Sequence, residues 1–433
     1  MTHGANKVRT ISAEGISRVE GEGSLRVRVR DGRVEDVALD IFEPPRYFEA
    51  LLVGRHFSEA PDITARICGI CPVAYQMSAC LAMEDACGVV VDERVTDLRR
   101  LLYCGEWIQS HALHIYLLHA PDFLGCADAV ELAEIDPISV KRGLELKRTG
   151  NVVMQTVGGR AVHPVNVRVG GFYRAPSLTS IQALADPLRR ARDDALKTVA
   201  WVAGFEFPDV TNAYRFVALD QTDRYPIDGG MVSSDGLTLS VAQFAEVAVE
   251  EHVARSTALQ STLGGRYPYI TGPLARFALH ASKLPEVARD AAAAADLVAP
   301  CVNPFRSIVV RAVELVFACD EALRLVERYE PPNPPATVVA ARAATGTAAT
   351  EAPRGLLLHQ YDIDDQGIIQ RARIMPPTSQ NQLTIEDDLR HVVENGLSLD
   401  DDELQRRCEL AVRNHDPCIS CAAHFLDLTV ETL

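Results

Sequence analysis

Four cysteines stand in two pairs of identical spacing at opposite ends of the chain: Cys68-Gly69-Ile70-Cys71 and Cys418-Ile419-Ser420-Cys421. Two residues between cysteines let both thiolates turn toward one ion. Four thiolates together form a soft, strongly donating set suited to zinc, an iron–sulfur cluster or nickel. A zinc ribbon also uses two such pairs, but usually with roughly 15–20 residues between them. Here nearly the whole chain intervenes. A Cys-x-x-Cys redox motif belongs at a helix start in a thioredoxin-like unit, and two at opposite ends of a long chain do not fit that pattern. The expectation is that the two pairs meet in space and hold a redox metal centre. A structural zinc site in a non-catalytic module is the alternative, and metal analysis separates the two.

The elements that must bring these pairs together can be read in part. Residues 10–60 form a β-rich N-terminal part: Leu25 to Arg30 alternates apolar and basic residues, Asp31-Gly32 signals a hairpin turn, and Val34 to Ile41 continues the alternation. Residues 61–330 read as a helical core. Helices are expected over 74–88, from Thr96 as a cap to about His119, and over 181–204, 240–263, 282–298 and 304–329. Residues 331–350, rich in Pro, Ala and Thr, read as a surface connection within a C-terminal part, 331–433, that closes the metal site. Helices from Thr384 to Glu394 and over 402–413 then deliver the second cysteine pair. The fold class is α+β and predominantly α, with a bundle of long helices as its core and a single domain over 1–433. His111, His114 and His119 share the long helix and read as packing histidines before they read as ligands.

With 433 residues the chain can bury a large core. A net charge of −16 argues against a nucleic-acid surface. No apolar run reaches the roughly 18–20 residues of a membrane span, and Met1 to Ser12 lacks the apolar centre of a signal peptide. Both point to the cytoplasm. Eleven unevenly spaced cysteines fit reduced thiols rather than a disulfide framework. The glycine-rich 158–171 stretch lacks the Gly-Lys-Ser/Thr ending of a phosphate loop.

Arg66-Ile-Cys-Gly-Ile-Cys71 together with Asp416-Pro-Cys-Ile-Ser-Cys-Ala-Ala-His424 resembles the paired signatures of the large subunit of [NiFe] hydrogenases. The likeness extends through Arg18-Val-Glu-Gly21, Arg46 to Arg55, Ala120-Pro-Asp122, Gly158 to Gly171, Glu351-Ala-Pro-Arg-Gly355 and Pro376-Pro-Thr-Ser-Gln-Asn381. It implies a nickel held by Cys68, Cys71, Cys418 and Cys421, with Cys71 and Cys421 bridging to an iron that carries CO and CN⁻. Pro353 and Thr378 would border the iron's ligands. Magnesium would sit on Glu49 and His424. H₂ would be split heterolytically, with Glu20 relaying protons, Arg354 over the open metal position, and Asp122 and Asp416 holding Arg354. The family usually carries His where this chain has Tyr75 and Glu22.

The resemblance also implies partners: an iron–sulfur small subunit, flavin and NAD(P) diaphorase subunits of the soluble cytoplasmic branch, and an endopeptidase that removes residues 425–433 after metal loading. Glu351 to His359, with Arg354 at its centre, carries the guanidinium, whose planar donors keep their protons.

Overall fold

Leu25, Val27 and Val29 are buried on one face while the arginines between them face outward, the alternation of a half-buried strand. In the computed structural model, which describes residues 8–13, 15–234 and 236–423, strands Val8–Ala13, Gly23–Arg30 and Arg33–Ile41 form an antiparallel sheet with the middle strand central. Its inner face packs on the C-terminal helices Pro377–Asn395 and Asp401–Asn414 through Ile385, Leu389, Val393, Leu404 and Cys408. Glu386 and Gln382 also bond the Leu39 backbone on both sides, at 3.0 Å each. The first and last parts of the chain are thereby held side by side.

The larger core is helical. The Glu93–Leu113 helix begins at Asp92, whose carboxylate accepts from Arg94 N at 2.8 Å. The cap is therefore Asp92, not the expected Thr96, because an acid at that position meets the helix's free N–H groups directly. The helix runs into a π-helical turn, His114–His119. Helices Pro137–Gly158 and Ser307–Glu327 pack against it, Ala185–Ala203 packs on both of those, and Ser307–Glu327 is buried along nearly its whole length. Helices Pro72–Cys87 and Glu286–Ala294 stand where helices were expected.

Three further expectations need correction. Residues 240–263 are not one helix: Val241–Val247 is helical, and strands Ala248–His252 and Leu259–Leu263 follow as an antiparallel pair. The Arg373 guanidinium takes the carbonyls of Ala245 and Ala248 at 2.7 and 2.8 Å, ending the helix where its C-terminal oxygens need a donor. The surface connection after 331 ends early, because Ala344–Ala352 is a strand. With Gly355–Ile363 and Ile369–Met375 it forms a three-stranded antiparallel sheet. The helix from Pro377 begins well before Thr384, which instead bonds the Tyr269 carbonyl at 2.8 Å. No described helix is long and apolar enough to cross a membrane.

Buried ion pairs tie the helices to one another. Arg99 meets Glu84 with both terminal nitrogens, at 2.9 and 2.6 Å, and Glu84 also accepts from Gly170 N. Arg99→Met should leave Glu84 buried without a counter-charge and lower the stability of the chain by about 3–5 kcal/mol. A guanidinium chloride unfolding midpoint unchanged from wild type would contradict this.

Candidate metal centre

Cys68 follows a single 3₁₀ turn, Ala65–Ile67, and Cys71 directly precedes the Pro72–Cys87 helix, with Pro72 at its first position. That proline fits because the first helical N–H has no partner within the helix. The turn between the cysteines sends Ile70 N and Cys71 N toward Cys68 Sγ, at 3.3 and 3.4 Å. Behind it, Glu106 accepts from Val73 N at 2.6 Å and Ala74 N at 3.1 Å, filling the free donors of the helix start. Gln109 donates to the Ile70 carbonyl at 2.6 Å, and His163 bonds the Ala65 carbonyl at 2.7 Å. The glycine-rich stretch thus supports the first cysteine loop.

The second pair is positioned from the other side. Thr378 Oγ1 accepts from Cys418 N at 2.9 Å. Glu20 runs as an isolated parallel bridge beside Cys418, its carbonyl accepting from Ile419 N at 2.9 Å. The segment just before is pinned by the helical core. His114 Nε2 lies 2.9 Å from the Arg413 carbonyl, His119 Nε2 lies 3.1 Å from Asn414 Oδ1, and Arg311 and Ser307 donate to the Asn414 carbonyl. Burial holds His114 and His119 well below the ordinary histidine range. They are neutral and locate a loop, in keeping with packing rather than ligation. Arg46 joins both halves, donating to the Ile67 carbonyl at 2.7 Å and to the Ser420 carbonyl.

Cys68, Cys71, Cys418 and Cys421 come together with all four sulfurs within 4.8 Å of one another and all four residues buried. Cys68 and Cys418 are 3.5 Å apart, Cys71 and Cys421 3.9 Å, and Cys418 and Cys421 2.7 Å. Cys68 is held well below the usual thiol range, first by the Cys418 thiol and then by its other sulfur neighbours. Burial raises Cys418 and Cys421. Four soft donors converging in a water-excluded space fit a thiophilic ion. Tyr75, one turn beyond Cys71, brings a buried phenol close to Cys421, and burial pushes it well above the ordinary range.

Glu20, half-buried, accepts from Cys418 Sγ at 2.9 Å and from Ser420 N at 3.1 Å. Arg354 sits at the tip of the hairpin formed by Ala344–Ala352 and Gly355–Ile363. Its Nε donates to the Asp416 carbonyl at 2.9 Å and its Nη2 to Asp416 Oδ1 at 3.1 Å. Burial opposes the charge on Arg354, but Asp416 and the sulfurs outweigh it and raise its affinity for the proton. Its Nη1 is buried with no protein partner. Asp416 adopts a left-handed φ of 50°, a strained conformation for a residue with a side chain.

Asp122 does not hold Arg354. It pairs with Arg18 at 2.5 Å and with Arg413 at 2.7 and 2.9 Å. It thus ties the stretch before Glu20 to the stretch before Cys418, and of the two aspartates it is Asp416 that bonds the Arg354 side chain. Glu49, in the Phe48–Leu52 helix, accepts from Ile374 N at 2.6 Å. Burial pushes its carboxyl up to about 7. Pro353 directs its carbonyl to Arg276 at 3.0 Å. His424 and residues 425–433 lie outside the described residues. Glu106, Arg46, Gln109 and Arg311 were not singled out from the sequence. A carboxylate inside the run Tyr103-Cys-Gly-Glu-Trp-Ile108 was the one visible signal, since glutamate is rarely buried without a task.

The family model described as nickel-dependent hydrogenase matches residues 46–142 and 301–424. Sulfhydrogenase 1 subunit alpha of Pyrococcus furiosus is 32% identical, the alignment covering 96% of this chain and 98% of that one. The NAD-reducing hydrogenase HoxS subunit beta of Cupriavidus necator is 26% identical over 96% of this chain and 95% of its own. Among solved structures, an NAD⁺-reducing [NiFe]-hydrogenase in the H₂-reduced state superposes with a TM-score of 0.88 at 25% identity, covering 97% of this chain and 100% of that one. The Ni-Fe-Se hydrogenase of D. vulgaris Hildenborough shares the fold at a TM-score of 0.78, with 23% identity, 96% of this chain and 100% of the other. This chain belongs to the nickel-dependent hydrogenase family.

Proposed function

We propose that this chain, a catalytic hydrogenase subunit and an oxidoreductase acting on hydrogen, holds its nickel–iron centre on Cys68, Cys71, Cys418 and Cys421. The observation that carries the assignment is the group of four buried sulfurs within 4.8 Å, beside a buried guanidinium with one unpartnered nitrogen. When bound, the centre supplies a soft redox metal with open positions at which H₂ is split heterolytically. CO and CN⁻ on the iron would lie toward Pro353 and Thr378.

The protein's part is to move protons and to hold the surroundings rigid. Cys418 Sγ and Glu20 Oε2 are at hydrogen-bond distance, 2.9 Å, so a proton on the thiol passes to the carboxylate without rearrangement. Glu20 is half-buried and delivers it outward. Arg354 keeps its charge through the cycle and directs its free N–H groups into the sulfur-lined space, with Asp416 fixing the fork from behind. Asp122 acts one step further out, joining the segments that carry Glu20 and Cys418. Glu49, with His424, would bind magnesium, a hard ion that prefers oxygen ligands. Burial lifts the Glu49 carboxyl to about 7, and a bound cation would displace the proton to water.

Electrons need another carrier. Among the described residues the four cysteines form the one metal-competent group, and isolated Cys80, Cys104 and Cys319 are buried thiols raised by burial. We assign an iron–sulfur small subunit as the immediate partner and flavin and NAD(P) subunits beyond it, in the cytoplasm. The similarity to an NAD-reducing enzyme and to sulfhydrogenases supports this.

Three outcomes are expected. Cys418→Ser abolishes both nickel retention and H₂-dependent dye reduction. Glu20→Gln, which keeps shape but removes the titrating group, leaves the infrared bands of the centre in place while slowing proton–deuterium exchange. Wild-type exchange in that variant moves the relay elsewhere. Arg354→Lys retains a charge but loses the planar fork, and turnover falls by roughly 10²–10⁴; a loss of less than a few-fold makes Arg354 structural.

The tail gives a further expectation. Removal of 425–433 after metal loading predicts a mature mass ending at His424, whereas an active enzyme ending at Leu433 rules processing out.

A further inference from the structure

We propose that Arg276 is the positioning residue that sets where Arg354 stands over the thiolates. This rests on the role given to Arg354 above. Arg276 lies in the Pro273–His280 helix and is fully buried. It spends all five of its N–H donors. Nε and Nη2 meet Glu314 at 2.7 Å each, Nη1 meets Glu351 at 2.8 Å and the Ala352 carbonyl at 3.0 Å, and Nη2 meets the Pro353 carbonyl at 3.0 Å. Ala352 and Pro353 are the two residues before Arg354, and Gly355 is the first of the returning strand. One guanidinium therefore grips the hairpin tip whose side chain is the other guanidinium.

The rest of the grip has the same origin. Gly272, one residue before the Arg276 helix, lies against the Arg354 carbonyl so closely that a Cβ there would fall 2.5 Å from it. A Cβ on Gly355 would fall 2.3 Å from Thr271 Oγ1, and that hydroxyl accepts from Leu356 N at 2.5 Å. Thr271, Gly272 and Arg276 thus hold both sides of a bend that has no room to shift. Trp107 covers the Arg276 guanidinium at 4.4 Å and donates its Nε1 to the Glu351 carbonyl at 3.1 Å.

Arg276 has no need to hold two carbonyls merely to balance charge. A buried cation facing two carboxylates would be satisfied by Glu314 and Glu351 alone. Burial works against ionised Glu314, but Arg276 outweighs it and holds that carboxyl down to about 2. Glu351 is pushed up to about 7 by burial, with Arg276 opposing. The two carbonyl bonds are the part of the arrangement that has geometric content. A lysine, with three donors on one nitrogen, supplies the charge but cannot span Glu314, Glu351 and both carbonyls.

The test compares Arg276→Lys with Arg99→Lys, which weakens a buried ion pair of the same kind away from the hairpin. Two readouts are taken: amide hydrogen exchange of Arg354 to Leu357 in the metal-free chain, and kcat and KM for H₂ in the assembled, metal-loaded enzyme. Arg276→Lys is expected to speed exchange at the hairpin tip and to lower kcat between about 10- and 10²-fold, the scale of a small displacement of a catalytic group. KM and nickel content stay near wild type. Arg99→Lys leaves exchange at the tip and kcat unchanged. Trp107→Phe, which removes the indole donor and keeps the packing, gives the same direction with a smaller effect and stands in if Arg276→Lys does not fold. Unchanged tip exchange with kcat within two-fold of wild type, in whichever of the two variants folds, overturns the proposal. If Arg354→Lys is itself fully active, the role of Arg354 fails; if Arg354→Lys is inactive and Arg276→Lys is active with an unchanged tip, only the brace fails.

Discussion

Four sulfur atoms confined within 4.8 Å and shielded from water set the terms for the rest of the molecule. Ionised thiolates at that spacing repel one another strongly in a medium that screens poorly, and burial, joined by the neighbouring sulfurs, raises Cys418 and Cys421. The group therefore becomes fully ionised only when cations share the space. Arg354 is one such charge, built into the chain, and a metal centre bound there would supply the others. Thiolates must lose their protons to bind a metal, so loading of such a site would release protons.

Everything around the sulfurs serves that convergence. The first pair is fixed from behind by Glu106 at a helix start and the second by Thr378 and Glu20. Arg46 bonds to both loops. Neutral histidines from the π-helical turn pin the approach to Cys418. The N-terminal sheet packs on the C-terminal helices, so the carboxylate that accepts a hydrogen bond from Cys418 comes from the opposite end of the chain. Position is thus secured by many modest bonds, and the proposed chemistry falls to Cys418, Glu20 and Arg354, which stand together at the sulfurs.

The cysteine pairs were legible because metal ligation demands a residue type at a fixed spacing, and the motifs around Glu20, Arg354 and Asp416 were legible through their resemblance to a family. Strands 25–30 and 34–41 and the long helices followed from periodicity. What failed was set by distant partners. The Val241–Val247 helix stops because Arg373, from another strand, takes its carbonyls. Asp122 looked like a support for Arg354, yet Arg18 and Arg413 claim it, and nothing in its own neighbourhood of the sequence identifies them. Arg276 and Glu106 sit in apolar runs with no motif, so their tasks appear only when the hairpin and the first cysteine loop are in place.

The central claim is that one nickel is held by both cysteine pairs. Nickel K-edge X-ray absorption of the purified, loaded protein tests it directly. The account predicts a first shell of four sulfur scatterers from Cys68, Cys71, Cys418 and Cys421, with an iron at the next distance. Nickel ligated mainly by nitrogen and oxygen, or a protein that carries zinc and no nickel, would contradict it.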